Sequence, residues 1–183
     1  TIEYHLAGRV MKAVNTTPES LELMRIFTEL EKVGGTHVTM EVSSHALALG
    51  RVYGIDFHTT VFSNLTRDHL DFHGDMEAYF QAKQLLFTGA GGAPPKFAVL
   101  NRDDAHFERL AAAAARCGAA RIIGFGADPA AEMRLVDCTL EAAGSTVTAA
   151  WHGARLCYSV PIPGRHWVMN SLAVLAACAA LGL

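Results

Sequence analysis

Two short stretches concentrate the residues able to do chemistry. "MEVSSHALALGRV", residues 40–52, carries Glu41, Ser43, Ser44, His45 and Arg51. "SNLTRDHLDFHGD", residues 63–75, carries Asn64, Arg67, Asp68, His69, Asp71 and His73. Carboxylate oxygens suit magnesium and imidazole is tolerated, so Glu41 with one of the later His or Asp residues could hold a divalent cation. His69 and His73 stand at i, i+4, a spacing that can chelate zinc on a helix. Asp68, His69, Asp71 and His73 together would then suit a metal-dependent hydrolase. Against zinc, the glutamate of H-E-x-x-H is missing and "FHGD" reads as a turn. The plainer alternative makes Asp68 and Asp71 helix or turn caps and leaves the histidines on the surface.

A third candidate follows at once. "EAYFQAKQLLF", residues 77–87, has helical spacing, with Met76, Tyr79, Phe80, Leu86 and Phe87 on one face and Lys83 among them. A buried ammonium is costly unless it is paired, neutralised or chemically changed. Either the lysine stem lies along the core while the charge reaches water, or the amine serves the neighbouring polar loops.

These side chains need a frame, and the chain supplies an alternating one. "TTPESLELMRIFTELEKVGG" has a Thr-Pro start, apolar Leu21, Met24, Ile26, Phe27 and Leu30, and a Gly-Gly stop, which predicts a helix. "THVTMEVS" and "TTVFSNL" read as buried strands that each end in a polar cluster. After the Lys83 helix comes the loop "TGAGGAPP", whose glycines match no nucleotide-binding fingerprint. "KFAVLN" reads as a strand, "DDAHFERLAAAAARCG" as a helix and "RIIGFG" as a third short strand. Such alternation predicts an α/β fold with a mostly parallel sheet flanked by helices. Residues 133–162 alternate and turn at "AAGS" and "HGA", which predicts a small antiparallel β meander, and "NSLAVLAACAALGL" closes the chain as a helix. In open sheets of this kind ligands bind beyond the carboxyl ends of the strands, where both polar loops fall.

The chain of 183 residues is long enough for one medium domain with a substantial core, and no internal linker demands a second. The formal net charge is −3, and the absence of a Lys/Arg run argues against nucleic acid or an anionic membrane as partner. Apolar runs such as "SLAVLAACAALGL" are too short to span a bilayer, and "TIEYHLAGRV" lacks the pattern of a signal peptide. Cys117, Cys138, Cys157 and Cys178 are widely spaced, as expected for small hydrophobes in a reducing compartment. The expected location is cytoplasmic.

Taken together, "NTTPES", "MEVSSHALALGRV", "FSNLTRDHLDFHGDMEAYFQAKQLLF" and "VLNRDD" resemble the central domain of the Mur ligases, and the likeness continues more weakly into "PIPGRHWVMNSLAVLAA". It covers nearly the whole chain in order and spacing, so residues 1–183 would be that ATP-binding domain. The resemblance implies a ligase of peptidoglycan synthesis that adds the third amino acid, diaminopimelate or lysine, to UDP-N-acetylmuramoyl-L-alanyl-D-glutamate. In the family, ATP phosphorylates the terminal carboxylate of the substrate and the incoming amine attacks the acyl phosphate. Glu41 and His69 match the magnesium ligands. Thr16, Thr17, Ser43 and Arg51 match residues that hold the UDP-sugar dipeptide, and Asn170 matches an asparagine of the adenine pocket. Lys83 matches a lysine that carries a carbamate and so helps to place magnesium.

Three departures go with the likeness. The family's phosphate-binding loop, G-T-N-G-K-T-T, is expected before "TIEYHLAGRV", and a C-terminal domain is expected after the last helix. The 183 residues alone are therefore expected to bind ATP weakly and not to catalyse. Third, "GRHWVMN" has Trp167 where the family usually carries an asparagine at the helix start.

Overall fold

The computed structural model describes residues 3–119 and 121–183. They divide into two units that interleave along the chain. One comprises the stretch ending at Ile55 together with Asp68–Leu86 and Ala90–Ala93; the other comprises Asp56–Arg67, Phe87–Gly89 and Pro94–Leu183.

The first unit opens with a hairpin of β1 (Glu3–Leu6) and β2 (Arg9–Lys12), which the sequence reading missed. Its two-residue turn has positive φ at both Ala7 (47°) and Gly8 (85°), the twist that suits tight hairpins. Then comes α1 (Ser20–Lys32), as expected, although its buried residue is Leu23 while Leu21 and Met24 are 65% and 56% exposed. Two short helices, α2 (Ser44–Ala48) and α3 (Leu70–His73), carry the polar loops. Residues 76–86 of α4 (Met76–Thr88) complete the unit. Asp75 caps α4, its carboxylate accepting from the Ala78 N–H at 2.8 Å. Tyr79 and Phe80 are buried, as the helical spacing requires, and Lys83 on the same face is half-buried, while buried Phe87 falls in the second unit.

One expected strand is absent. "THVTMEVS" forms no ladder among the described residues, and residues 36–39 are exposed. Its β-branched residues favour extended backbone, but a strand also needs a neighbour for its N–H and C=O groups. At the end of the stretch the Thr17 hydroxyl meets two of these groups, donating to the Glu41 carbonyl at 3.0 Å and accepting from the Ser43 N–H at 2.9 Å.

The second unit is built on β3 (Thr59–Phe62), β4 (Phe97–Asn101), β5 (Arg121–Gly126), β6 (Met133–Glu141), β7 (Gly144–Trp151) and β8 (Ala154–Val160), side by side in that order. The first four pair in parallel, and the last two pairings are antiparallel. The meander therefore extends the parallel sheet rather than standing apart. Two helices cover the sheet, α5 (Phe107–Arg116) and α6 (Arg165–Ala180). Val99, Ile123, Phe125, Met133, Leu135, Val147 and Ala149 form one core with Val168, Leu172, Ala173, Ala176 and Ala180 of α6. On the alternate residues of the strands, a Cβ added to Gly124 would lie 3.7 Å from the Phe107 ring of α5.

Helix α6 starts at Arg165, earlier than the expected Asn170. Gly164 takes the N-cap position with φ 118°, and no side chain caps the helix. The glycine carbonyl instead accepts from the Trp167 N–H at 3.1 Å.

Candidate functional site

The segment before α1 and the loop entering α2 are locked together. Thr17, fully buried, bridges the Glu41 carbonyl and the Ser43 N–H as described above. Ser43 caps α2, its hydroxyl accepting from the Ala46 N–H at 3.2 Å. Arg51, just beyond α2, reaches back across this junction. Its Nη1 donates to the Thr17 carbonyl at 3.1 Å and its Nη2 pairs with Glu19 Oε1 at 2.8 Å. The Arg51 side chain is only 17% exposed, and its Nε is buried with no hydrogen-bond partner among the described residues. Tyr4 of β1 adds a bond from its hydroxyl to the Asn15 carbonyl. Thr16 lies half-buried between Asn15 and Thr17. Four of the residues singled out from the sequence thus share one corner of the first unit, around an arginine fork suited to carboxylate or phosphate.

The second polar loop builds a ring cluster. His69 has left-handed backbone (φ 54°), uncommon for a non-glycine residue, and its N–H donates to Asp68 Oδ1 at 2.8 Å. The His45 ring packs edge-on against His69 at 4.9 Å and tilted against Phe72 at 4.1 Å. His73 stacks on Tyr79 at 5.1 Å, and its Nε2 lies 2.9 Å from the hydroxyl of buried Ser44. The Lys83 ammonium stands over the Tyr79 ring, 5.3 Å from its centre. Burial lowers the Lys83 pKa, opposed by the charges of Glu41 and Asp68, so both carboxylates act on this amine. Burial and the charges of His45, His69 and Lys83 push His73 down, with Asp71 opposing.

Glu41, Asp68, His69 and Lys83 therefore belong to one electrostatic neighbourhood within the first unit. The donor set fits magnesium, which typically keeps waters and takes only one or two carboxylates from the protein. The i, i+4 histidine pair that could chelate zinc, already disfavoured by the missing glutamate, is not formed. Among the described residues no three His, Cys, Asp or Glu side chains are grouped as a metal site. His69 and His73 are not paired for chelation, because His73 is engaged by Ser44 and Tyr79. Asn170, Asn64 and Arg67 belong to the second unit, where Asn170 is exposed on the second turn of α6.

Three features were not anticipated. Glu19 as the partner of Arg51 and Ser44 as the partner of His73 leave no mark in residue spacing. The third was visible as a polar run directly after a buried strand. In "NRDD", Asn101 Nδ2 donates to the Ser63 carbonyl at 2.7 Å and Asp104 accepts from the Leu65 N–H at 2.9 Å. Asp103 accepts from the N–H groups of Ala127 and Asp128, both at 2.8 Å. The run thereby ties together the carboxyl ends of β3, β4 and β5.

Comparison with known proteins gives a consistent result. Residues 1–178 match the model of the Mur ligase middle domain. A UDP-N-acetylmuramoyl-L-alanyl-D-glutamate–2,6-diaminopimelate ligase of Solibacter usitatus (strain Ellin6076) is 56% identical over 179 residues, covering 98% of this chain and 35% of the relative. A solved structure of a ligase with the same activity in its name superposes with a TM-score of 0.84 at 32% identity, covering 95% of this chain and 36% of the other. The MurF ligase of Thermotoga maritima, solved in complex with ADP, shares the fold with a TM-score of 0.59 at 16% identity, over 85% of this chain and 36% of that one. The chain spans about a third of the length of the curated relatives it matches, 35% and 37% for two of them.

Proposed function

The chain belongs to the Mur ligase family, and from that premise we propose that it is the ATP-binding middle segment of a ligase acting on UDP-N-acetylmuramoyl-L-alanyl-D-glutamate. The amino acid added is diaminopimelate, as in the names of its similar relatives. The setting is cytoplasmic peptidoglycan synthesis; no described helix is long and apolar enough to cross a membrane. The observation that carries the reading is the pairing, in one unit, of the Thr17–Ser43–Arg51 corner with the Glu41–His69–Lys83 neighbourhood.

Thr16, Ser43 and Arg51 would hold the UDP-sugar dipeptide, with Arg51 offering its fork to a carboxylate or phosphate, and fully buried Thr17 would set their positions through its bonds to the Glu41 carbonyl and the Ser43 N–H. Glu41 and His69 would hold magnesium, which neutralises phosphate charge and aligns the reacting groups when bound. Asn170 would contact adenine. Lys83 would become a carbamate. Burial lowers its pKa and so increases the neutral amine, the form whose nitrogen attacks the carbon of carbon dioxide while a proton leaves to solvent. The product is a carboxylate on a long arm, which would add an oxygen ligand beside the Glu41 carboxylate and the His69 imidazole.

The test is an assay of the full-length enzyme for ADP release dependent on both the UDP-sugar dipeptide and diaminopimelate. Lys83→Ala should abolish turnover while sparing the fold, and a small carboxylic acid should restore part of it. Turnover by Lys83→Ala at the native rate would return Lys83 to a purely structural role. Hydrolysis without an amine acceptor would refute the ligase reading.

A further inference from the structure

The Arg51 fork is not vacant. Its Nη2 is held by Glu19 Oε1 at 2.8 Å, so an anion bound to that nitrogen would have to replace the glutamate. We propose that Glu19 is a specificity-determining residue, a built-in carboxylate that occupies Arg51 and must be exchanged for the ligand's own anion. The proposal rests on the reading of Arg51 as a substrate-binding group.

The two partners of the fork are unequal. Arg51 is fixed without Glu19, because its side chain is 17% exposed and Nη1 is bonded to the Thr17 carbonyl at 3.1 Å. Ser20 adds a second tie, its hydroxyl donating to the Arg51 carbonyl at 3.0 Å. Glu19 is 59% exposed, so water can receive its carboxylate when it swings away. A pair of this kind is weak and easily exchanged. Nε is buried and unpartnered, so the guanidinium keeps one unused donor, which a ligand reaches only once Glu19 has swung away. A ligand presenting two oxygens to Nη2 and Nε would do better than the single contact with Glu19. Neutral or singly contacting ligands would not displace it. Glu19 thus filters for a bidentate anion, either the dipeptide's terminal carboxylate or the diphosphate.

Glu19→Gln removes the charge and keeps the shape. Glu19 makes no side-chain hydrogen bond to the start of α1, so the helix should tolerate the change. The experiment is calorimetric titration of the full-length enzyme, native and Glu19→Gln, with UDP and with L-alanyl-D-glutamate as separate probes at fixed ionic strength. Arg51→Ala serves as the reference. Glu19→Gln should bind one of the two probes about two- to fivefold more tightly, the range expected from removing one exposed competing pair. The probe that responds identifies the group Arg51 holds. KM for the UDP-sugar dipeptide should fall by the same factor, with kcat and KM for ATP unchanged. Unchanged or weaker binding by Glu19→Gln, with Arg51→Ala still impaired, would overturn the exchange role and leave the substrate site standing. Equal binding by native and Arg51→Ala enzymes would overturn both.

Discussion

His73 shows how burial sets the state of a single ring in this cluster. Burial first, then the positive charges of His45, His69 and Lys83, lower its pKa below the ordinary 6.5, while Asp71 pulls the other way. The folded protein therefore favours the neutral ring. Its contribution to stability is complete above pH 6.5 and is lost as pH falls through the lower folded value. Imidazole NMR should place the His73 midpoint below 6.5, and denaturation of His73→Gln should show a shallower loss of stability on the acid side than the native protein. A midpoint at or above 6.5 would contradict this account. The residue types of the cluster were legible in the sequence, and Lys83 stood out because it interrupted an apolar stripe. The partners were not. Ser44 lies 29 positions from His73 and Glu19 lies 32 from Arg51, and periodicity carries no information over such separations.

At the scale of elements, α6 is the helix on which the sheet's second-unit core depends. Leu172 is fully buried among Val168, Ala176 and the inward residues of the strands. Leu172→Ala should cost about 2–5 kcal/mol, since neighbouring alanines are too small to fill the space left. Denaturant melts would measure it, and a loss under about 1 kcal/mol would mean that the site collapses around the deletion. By contrast Val174, 60% exposed on the same helix, should tolerate Ala with little change. Strong periodic elements were legible: α1, α4, α5, β3, β4, β5 and the meander fall where the patterns put them. The misses share a cause. "THVTMEVS" has strand composition, but it pairs with no strand among the described residues, and its Glu41 carbonyl and Ser43 N–H bond the Thr17 hydroxyl instead, a choice made in three dimensions. The β1–β2 hairpin escaped notice because its turn uses Ala7 rather than Asn or Asp at the first left-handed position. The α6 start was misplaced because Gly164 caps through its carbonyl alone.

At the scale of the molecule, the two units are invisible to composition because each is assembled from separate stretches, with Asp56–Arg67 of one lying between parts of the other. No linker separates them, so no change in residue usage marks a boundary. Their interiors differ in kind. The second unit has a contiguous core in which Val99, Ile123 and Val147 are at most 1% exposed and the ladder is continuous across six strands. The first buries Leu23, Ala46, Leu47, Val52 and Phe80, adds ring contacts and hydrogen bonds from side chain to backbone, and leaves residues 31–39 exposed throughout. Opening free energies follow burial and hydrogen bonding. Native-state amide exchange should therefore be slowest in β4, β5 and β7. Residues 36–42 should exchange fastest among the segments flanking the site, with one internal contrast. Ser43, whose N–H donates to fully buried Thr17, should be slower than Val42 beside it, and Thr17→Val should erase that difference by removing the acceptor. Rapid exchange at Ser43 in the native protein would mean that the Thr17 bridge opens readily. The corner that presents Ser43 and Arg51 would then be assembled by its ligand rather than before it.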